Sequence, residues 1–152
     1  MSDDKNPPSA ADHVGEAAGG ITGVLAGVAI GATAGPIGSL LGGLAGAIGG
    51  WWSGRALAEA AEDITEADEQ YYREDFARSR TPVANYDDAR RAYYFGDIAT
   101  ANPDYSERAF AEVEPELARG WNAGAGGDDW RNVREYASVG FRHGRERRRR
   151  AR

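Results

Sequence analysis

Residues 17–54 read AAGGITGVLAGVAIGATAGPIGSLLGGLAGAIGGWWSG and carry no charged side chain, although 28% of all residues in the chain are charged. Glycine recurs at every fourth position in two series that start at Gly15 and at Gly38. The first series is Gly15, Gly19, Gly23, Gly27, Gly31 and Gly35, and the second is Gly38, Gly42, Gly46, Gly50 and Gly54. Because residues four apart share a helix face, each series predicts a helix with one glycine-lined side.

The two series are out of step by one residue, and Pro36 lies between them. Proline lacks a backbone donor and clashes with the preceding turn, so it ends the first helix and predicts a helical hairpin. Glycine costs about 1 kcal/mol per helical position relative to alanine, which close backbone packing must offset. The expected helix-packing residues are Gly19, Gly23, Gly27, Gly31, Gly35, Gly38, Gly42, Gly46 and Gly50.

The length of each arm fits a bilayer. Residues 17–35 would span about 28 Å as a helix and residues 37–54 about 27 Å, against a hydrocarbon core of about 30 Å. Trp51 and Trp52, followed by Arg55, are typical of an aromatic anchor at a membrane interface. The sequence therefore favours membrane-associated self-assembly. The alternative is a soluble homo-oligomer or filament in which the same glycine faces pack between subunits.

The glycine pattern resembles the glycine-zipper domains of many small bacterial envelope and stress proteins. The resemblance covers about residues 15–54 and depends on the two glycine series. It implies close helix packing and self-association, and it implies no reaction.

Charge is unevenly distributed along the 152 residues. Residues 1–16 carry −3 (four acids, one lysine) and residues 17–54 carry none. Residues 55–141 carry −9 (nineteen acids, ten arginines), and residues 142–152 carry +6 (seven arginines, one glutamate). The acidic N-terminus differs from the basic start of a secretory signal. If the hairpin inserts, Arg55 and the C-terminal arginines favour a membrane protein with both termini in the cytoplasm; the alternative is a soluble cytoplasmic assembly.

The expected fold is all-α, in four parts. Residues 1–14 form a disordered leader, 15–54 the glycine-zipper hairpin, 55–144 a helical domain rich in tyrosine and tryptophan, and 145–152 an arginine-rich tail. Within the helical domain, Pro82 is expected to end one helix and Asn85 or Tyr86 to begin the next. Ser106 and Asp128 are the expected caps of the last two helices.

Two predicted helices share one pattern, 44 residues apart. The first is Tyr86-x-x-Ala89-Arg90-x-x-Tyr93-x-x-Gly96, and the second is Trp130-x-x-Val133-Arg134-x-x-Ala137-x-x-Gly140. Their common spacing predicts two helices that pack alike, each offering a glycine for the close approach of a neighbour.

Residues 68–144 also resemble an uncharacterised family of bacterial stress-associated proteins. The resemblance depends on Tyr93-Tyr94-Phe95-Gly96, on Val113-Glu114-Pro115-Glu116-Leu117 with Trp121 nearby, and on a final helix led by Trp130. Phe141 stands where a final tryptophan is common in that family. The resemblance implies a helical fold, with an envelope or osmotic stress role, and brings no activity.

No pattern of an enzyme is present in the sequence. His13 and His143 fall in expected tails, and there is no nucleophile elbow, phosphate loop or HExxH motif. Cysteine is absent, and the alternating Glu112, Glu114 and Glu116 are expected on a solvated helix surface. We therefore expect a structural protein without catalytic residues, metal, cofactor or small-molecule substrate.

The arginine-rich tail is the second functional signal. Its expected anion-binding residues are Arg145, Arg147, Arg148, Arg149, Arg150 and Arg152. Anionic lipid headgroups and the acidic middle region of this chain or a neighbouring one are the favoured partners. Nucleic acid is the less favoured partner, because no aromatic residues are interleaved with the arginines.

Overall fold

A computed structural model describes residues 59–80, 85–122 and 128–152. A helical turn over 59–62 is followed by four helices: α1 (Glu66–Arg78), α2 (Tyr86–Ala99), α3 (Phe110–Gly120) and α4 (Trp130–Arg150). These described ranges contain no strand, so the predicted all-α class is confirmed. The leader and the hairpin of residues 15–54 lie outside them.

Short polar side chains begin each of the first two helices. The Thr65 hydroxyl accepts a hydrogen bond from the Asp68 amide, and the Asp68 carboxylate accepts one from the Thr65 amide, which is a capping box. Asn85 caps α2 by accepting from the Asp88 amide at 3.0 Å, as its sequence position predicts. Helix α1 ends at Arg78, a few residues before Pro82.

The predicted starts of α3 and α4 need correction. Ser106 does not cap α3, because its hydroxyl donates to the Pro103 carbonyl in the preceding turn. The helix begins instead at Phe110, where the Glu112 carboxylate accepts from the Ala109 amide at 2.6 Å, and it continues through Pro115. The cap of α4 is Asp129 in place of the neighbouring Asp128.

The 44-residue repeat extends beyond the two helices in which the sequence shows it. Helix α3 starts 44 residues after α1, at 110 against 66, and α4 starts 44 residues after α2, at 130 against 86. The acidic residues of the first turn, Asp68 and Glu112, each accept from the amide of the residue before their own helix. The domain is therefore two helical hairpins, α1–α2 and α3–α4, built on one plan.

Helices α2 and α4 pack backbone to backbone, as the shared glycine pattern predicts. A Cβ atom on Gly96 would lie 2.0 Å from the Ala137 carbonyl oxygen, and one on Gly140 would lie 1.9 Å from the Tyr93 carbonyl oxygen. Tyr93 and Ala137 are themselves equivalent in the repeat, so the two contacts are related by a local two-fold axis. Tyr93 meets Gly140 and Asp97 meets Gly144, hence the two helices run in the same direction.

Aromatic side chains fill the core around α2, in which residues 92–100 are all buried. The Tyr72 ring stacks on the Tyr93 ring with centroids 4.7 Å apart, and Tyr136 meets Tyr93 edge to face at 5.2 Å. On another side of α2, Phe95 contacts Trp121 and Trp130. Such pairs add about 0.5–1.5 kcal/mol each to the burial of their area.

Candidate functional site: an ionic cluster on helix α4

The predicted hairpin and membrane-interface residues fall outside the described ranges. This applies to the whole glycine series and to Trp51, Trp52 and Arg55, so their packing and interface roles stay predictions. The described ranges contain no helix with the length and apolar character needed to cross a bilayer. The arginine-rich segment, by contrast, is fully described.

The arginine-rich segment continues helix α4 without a break. The helix runs from Trp130 to Arg150 and so crosses the predicted boundary at residue 145. Arginine has a high helix propensity, and four arginines in the last turn also interact favourably with the negative end of the helix dipole. The segment therefore belongs to the folded domain.

Placing His143 in a tail was wrong. It lies within α4, and its Nε2 atom is 2.6 Å from Asp68 Oδ1 on α1. The imidazole ring also stacks on the Tyr71 ring, with centroids 4.1 Å apart. The histidine thus helps to hold α1 against α4.

Arg147 bridges two buried carboxylates that belong to different helices. Its Nη1 atom lies 2.7 Å from Asp68 Oδ2, and its Nη2 atom lies 2.8 Å from Asp97 Oδ1. The neighbouring Arg148 Nη1 contacts the same Asp97 oxygen at 2.9 Å. Among the partners considered for the arginines, the acidic middle region of the same chain is the one that Arg147 and Arg148 contact.

Asp97 is the centre of this cluster and has no solvent exposure. Besides the two guanidinium groups, its Oδ2 atom accepts a hydrogen bond of 2.6 Å from the Tyr72 hydroxyl. Gly144 makes room for it, because a Cβ there would lie 2.5 Å from Asp97 Oδ1. We call Asp68, Asp97, His143, Arg147, Arg148 and Tyr72 the ionic cluster.

The pKa shifts agree with a cluster in which charges neutralise one another. Partial burial raises the pKa of Asp68, but hydrogen bonds from Thr65 and His143 and the charge of Arg147 outweigh it and lower the pKa to about 2. Burial, followed by the charge and hydrogen bond of Asp97, raises the pKa of Tyr72. Asp68 is thus held ionised, and the Tyr72 hydroxyl is held as a proton donor.

Tyrosine hydroxyls donate hydrogen bonds to several other carboxylates of the acidic region. Tyr93 donates to Asp75 at 2.5 Å, Tyr94 donates to Glu69 at 2.6 Å, and Tyr105 donates to Glu116 at 2.6 Å. The carboxylates are thus acceptors for the hydroxyls of buried tyrosines, which gives these acids partners within the folded domain. Other carboxylates of this region pair with basic residues.

Glu112 is exposed, as expected of a solvated helix surface, whereas Glu114 and Glu116 are only partly exposed and are paired. The Glu114 carboxylate binds the Arg134 guanidinium with two hydrogen bonds, of 2.7 and 2.8 Å, and also accepts from Trp130 Nε1. The hydrogen bond from Arg134 is the main reason why the pKa of Glu114 is lowered. Arg90 on α2, which corresponds to Arg134 in the repeat, also pairs with a carboxylate of the preceding helix, that of Glu69 on α1 at 3.3 Å, although the position equivalent to Glu114 is Gln70.

The remaining arginines of the predicted anion-binding set lie at the surface, outside the ionic cluster. Arg145 donates to the Arg108 carbonyl at 2.8 Å, and Arg150 pairs with Glu146 one turn earlier. Arg149 lies 3.5 Å from Glu107, with both side chains exposed. The six arginines therefore divide into two partly buried members of the ionic cluster, Arg147 and Arg148, and four that lie outside it.

Within the described ranges, no group of three or more His, Asp or Glu side chains is placed to hold a metal ion. No family model matches the chain, and no curated protein or solved structure matches it. The described residues contain two features that hold the helices together. The ionic cluster connects α1, α2 and α4, and the glycine contact brings α2 and α4 together.

Proposed function

We propose that this protein is a non-enzymatic assembly protein. Copies of the chain associate through the glycine-lined helices of residues 15–54 and carry the four-helix domain as a rigid module. The observation that supports this proposal is the contact between α2 and α4, in which Gly96 and Gly140 bring two helix backbones together.

The same glycine spacing occurs in both parts of the chain. In α4, Gly140 and Gly144 are four residues apart, and both face α2 at distances that would exclude a side chain. Residues 15–54 contain eleven glycines in two series with that spacing. At about 1 kcal/mol per glycine, a helical hairpin with this composition needs extensive packing to be stable, and association between copies supplies it.

The surface of the described domain also favours assembly through the hairpin. The one large apolar side chain that is exposed in the described ranges is Tyr71, at 40%. Its phenol ring is covered on one face by His143. A domain with so little exposed apolar surface suits a module that is displayed by an assembly formed elsewhere in the chain.

The setting that we propose for the assembly is a bilayer, with both termini cytoplasmic. The arm lengths and Trp51-Trp52 with Arg55 support this setting. The resemblance to envelope and stress proteins with glycine zippers agrees with it. A soluble homo-oligomer packed through the same glycine faces is the other outcome of the experiment below.

Fractionation of the expressed full chain, followed by size analysis, tests the proposal. Recovery in a membrane pellet that resists high salt indicates insertion, and a large soluble species indicates the soluble assembly.

Substitution of the glycines tests the packing itself. Gly27→Leu or Gly46→Leu should break the assembly in either setting, because the leucine side chain separates the helices. Ala29→Leu is the matched control, since residue 29 lies about 200° around the helix from Gly27. Unchanged assembly in both glycine variants would contradict the proposal.

A further inference from the structure

Three arginines share one face of the last two turns of α4, and a fourth follows just after the helix. Arg145, Arg148 and Arg149 are spaced i, i+3 and i+4, and Arg152 lies two residues beyond the helix end at Arg150. Together with Thr100, Ser106 and Glu107 they line a small cavity with about 20 Å³ of space for a water-sized atom. Four guanidinium groups thus meet one carboxylate in this cavity, which we call the arginine pocket.

Arg148 is the fixed member of the arginine pocket. Its Nη1 atom contacts Asp97 Oδ1 at 2.9 Å and the Thr100 hydroxyl at 2.7 Å, and these contacts hold the guanidinium in place. Its Nη2 atom is shielded from solvent and finds no hydrogen-bond partner among the described residues. The Arg148 guanidinium therefore contributes fixed positive charge beside the cavity that it lines.

The rim of the pocket adds exposed positive charge. Arg149 is 60% exposed and meets Glu107 only at 3.5 Å, so this pair is weak and readily exchanged. The cavity has room for about one oxygen atom, so a bound group with several anionic oxygens would place one of them beside Arg148 and the others at the exposed rim. Phosphate has this chemistry, and guanidinium groups bind it in a charge-assisted, often bidentate way.

We infer that the arginine pocket binds a phosphate group, either of a soluble phosphate compound or of a lipid headgroup. Arg148 supplies fixed positive charge, and Arg149 with Arg152 supplies charge and hydrogen-bond donors at the rim. Glu107 opposes binding, since the ligand must compete with its carboxylate for Arg149. Arg147 takes no part, because both of its amino groups face the ionic cluster.

Calorimetric titration of the full chain with pyrophosphate, in low-salt buffer without other phosphate, tests the inference. Arg149→Gln should weaken binding about fivefold, the effect expected of one basic residue beside a phosphate. Glu107→Gln should strengthen binding by a similar factor. Both side chains are exposed, so neither change should alter the fold.

Arg131→Gln is the matched control for charge. Arg131 is exposed on the same helix, about 27 Å from Arg149 along the axis, well beyond the screening length of about 8 Å. The Arg131→Gln variant should bind pyrophosphate with an affinity within about twofold of that of the parent. Equal affinities of Arg149→Gln, Glu107→Gln and Arg131→Gln would overturn the inference.

Vesicle flotation distinguishes the two sources of phosphate. The probes are vesicles of phosphatidylcholine alone and vesicles that also contain phosphatidate. A lipid site predicts extra binding to phosphatidate that Arg149→Gln reduces and Glu107→Gln increases. Pyrophosphate binding without this difference supports a soluble phosphate ligand. Binding to duplex DNA alone, with neither pyrophosphate nor phosphatidate bound, would overturn the inference.

Discussion

Asp68 and Asp97 show what a buried carboxylate requires in this domain. Asp97 is fully buried and is met by a phenol and two guanidinium groups. Asp68 both caps α1 and pairs with His143 and Arg147. Since removing one partner of a buried ion pair costs about 3–5 kcal/mol, each of these side chains contributes to stability mainly by keeping its partners paired.

The depressed pKa of Asp68 predicts a dependence of stability on pH. The pKa is about 2 in the folded protein against an ordinary value of 3.8, so ionised Asp68 stabilises the fold fully above its unfolded pKa. This contribution, about 2 kcal/mol, is lost as the pH falls from about 4 to about 2. Urea unfolding at several pH values should show a shallower loss in Asp68→Asn than in the parent. Asp104→Asn, which changes an exposed turn residue, is the control; equal pH slopes in Asp68→Asn and the parent would contradict the assignment.

At the scale of elements, the α2–α4 contact depends on two backbones without side chains between them. Gly140→Ala adds a Cβ that would lie 1.9 Å from the Tyr93 carbonyl oxygen. Backbone atoms must therefore shift, and we expect a loss of about 1–3 kcal/mol in the free energy of unfolding. The sign of this change in stability is informative. In a helix without such a contact, replacing glycine by alanine would stabilise the helix by about 1 kcal/mol.

Urea unfolding followed by circular dichroism measures this loss. Ser138→Ala, on the same helix, is the control and should stay within about 0.5 kcal/mol of the parent. A Gly140→Ala variant as stable as the parent, or more stable, would show that the two helices do not approach so closely.

The buried faces of α2 and α4 and the N-cap of α2 were predictable from the sequence, because they depend on local spacing. Ala89, Tyr93 and Gly96 on α2, and Val133 and Ala137 on α4, are all buried as their periodicity predicts. The ionic cluster was not predictable in this way. His143 meets Asp68 across 75 positions and Arg147 meets Asp97 across 50, and no local pattern records such a pair. A run of arginines without visible partners resembles a solvated tail.

At the scale of the whole molecule, the ionic cluster makes the last turns of α4 necessary for the domain. A chain that ends after Glu146 lacks Arg147 and Arg148 and leaves Asp97 buried without a counter-charge. The expected loss of about 3–5 kcal/mol is a large part of the stability of a small domain. We expect this truncated chain to lose its near-ultraviolet circular dichroism signal and its cooperative unfolding.

A chain that ends after Arg150 is the control for this truncation. It keeps both arginines and the full extent of α4, so it should unfold at nearly the urea concentration of the parent. If the chain ending after Glu146 unfolds together with this control, the arginines are dispensable for the fold and the segment behaves as the tail that the sequence predicts.

The local two-fold axis between α2 and α4 gives this single chain the arrangement of a dimer. A 44-residue hairpin placed against its own copy would make the contact between the Gly96 position and the Tyr93 position twice, once in each direction, and this is what Gly96 with Ala137 and Gly140 with Tyr93 do. The domain therefore has the packing of a homodimer within one polypeptide. The two halves differ at Asp97, which corresponds to Phe141 in the second, so the ionic cluster is present on one side alone.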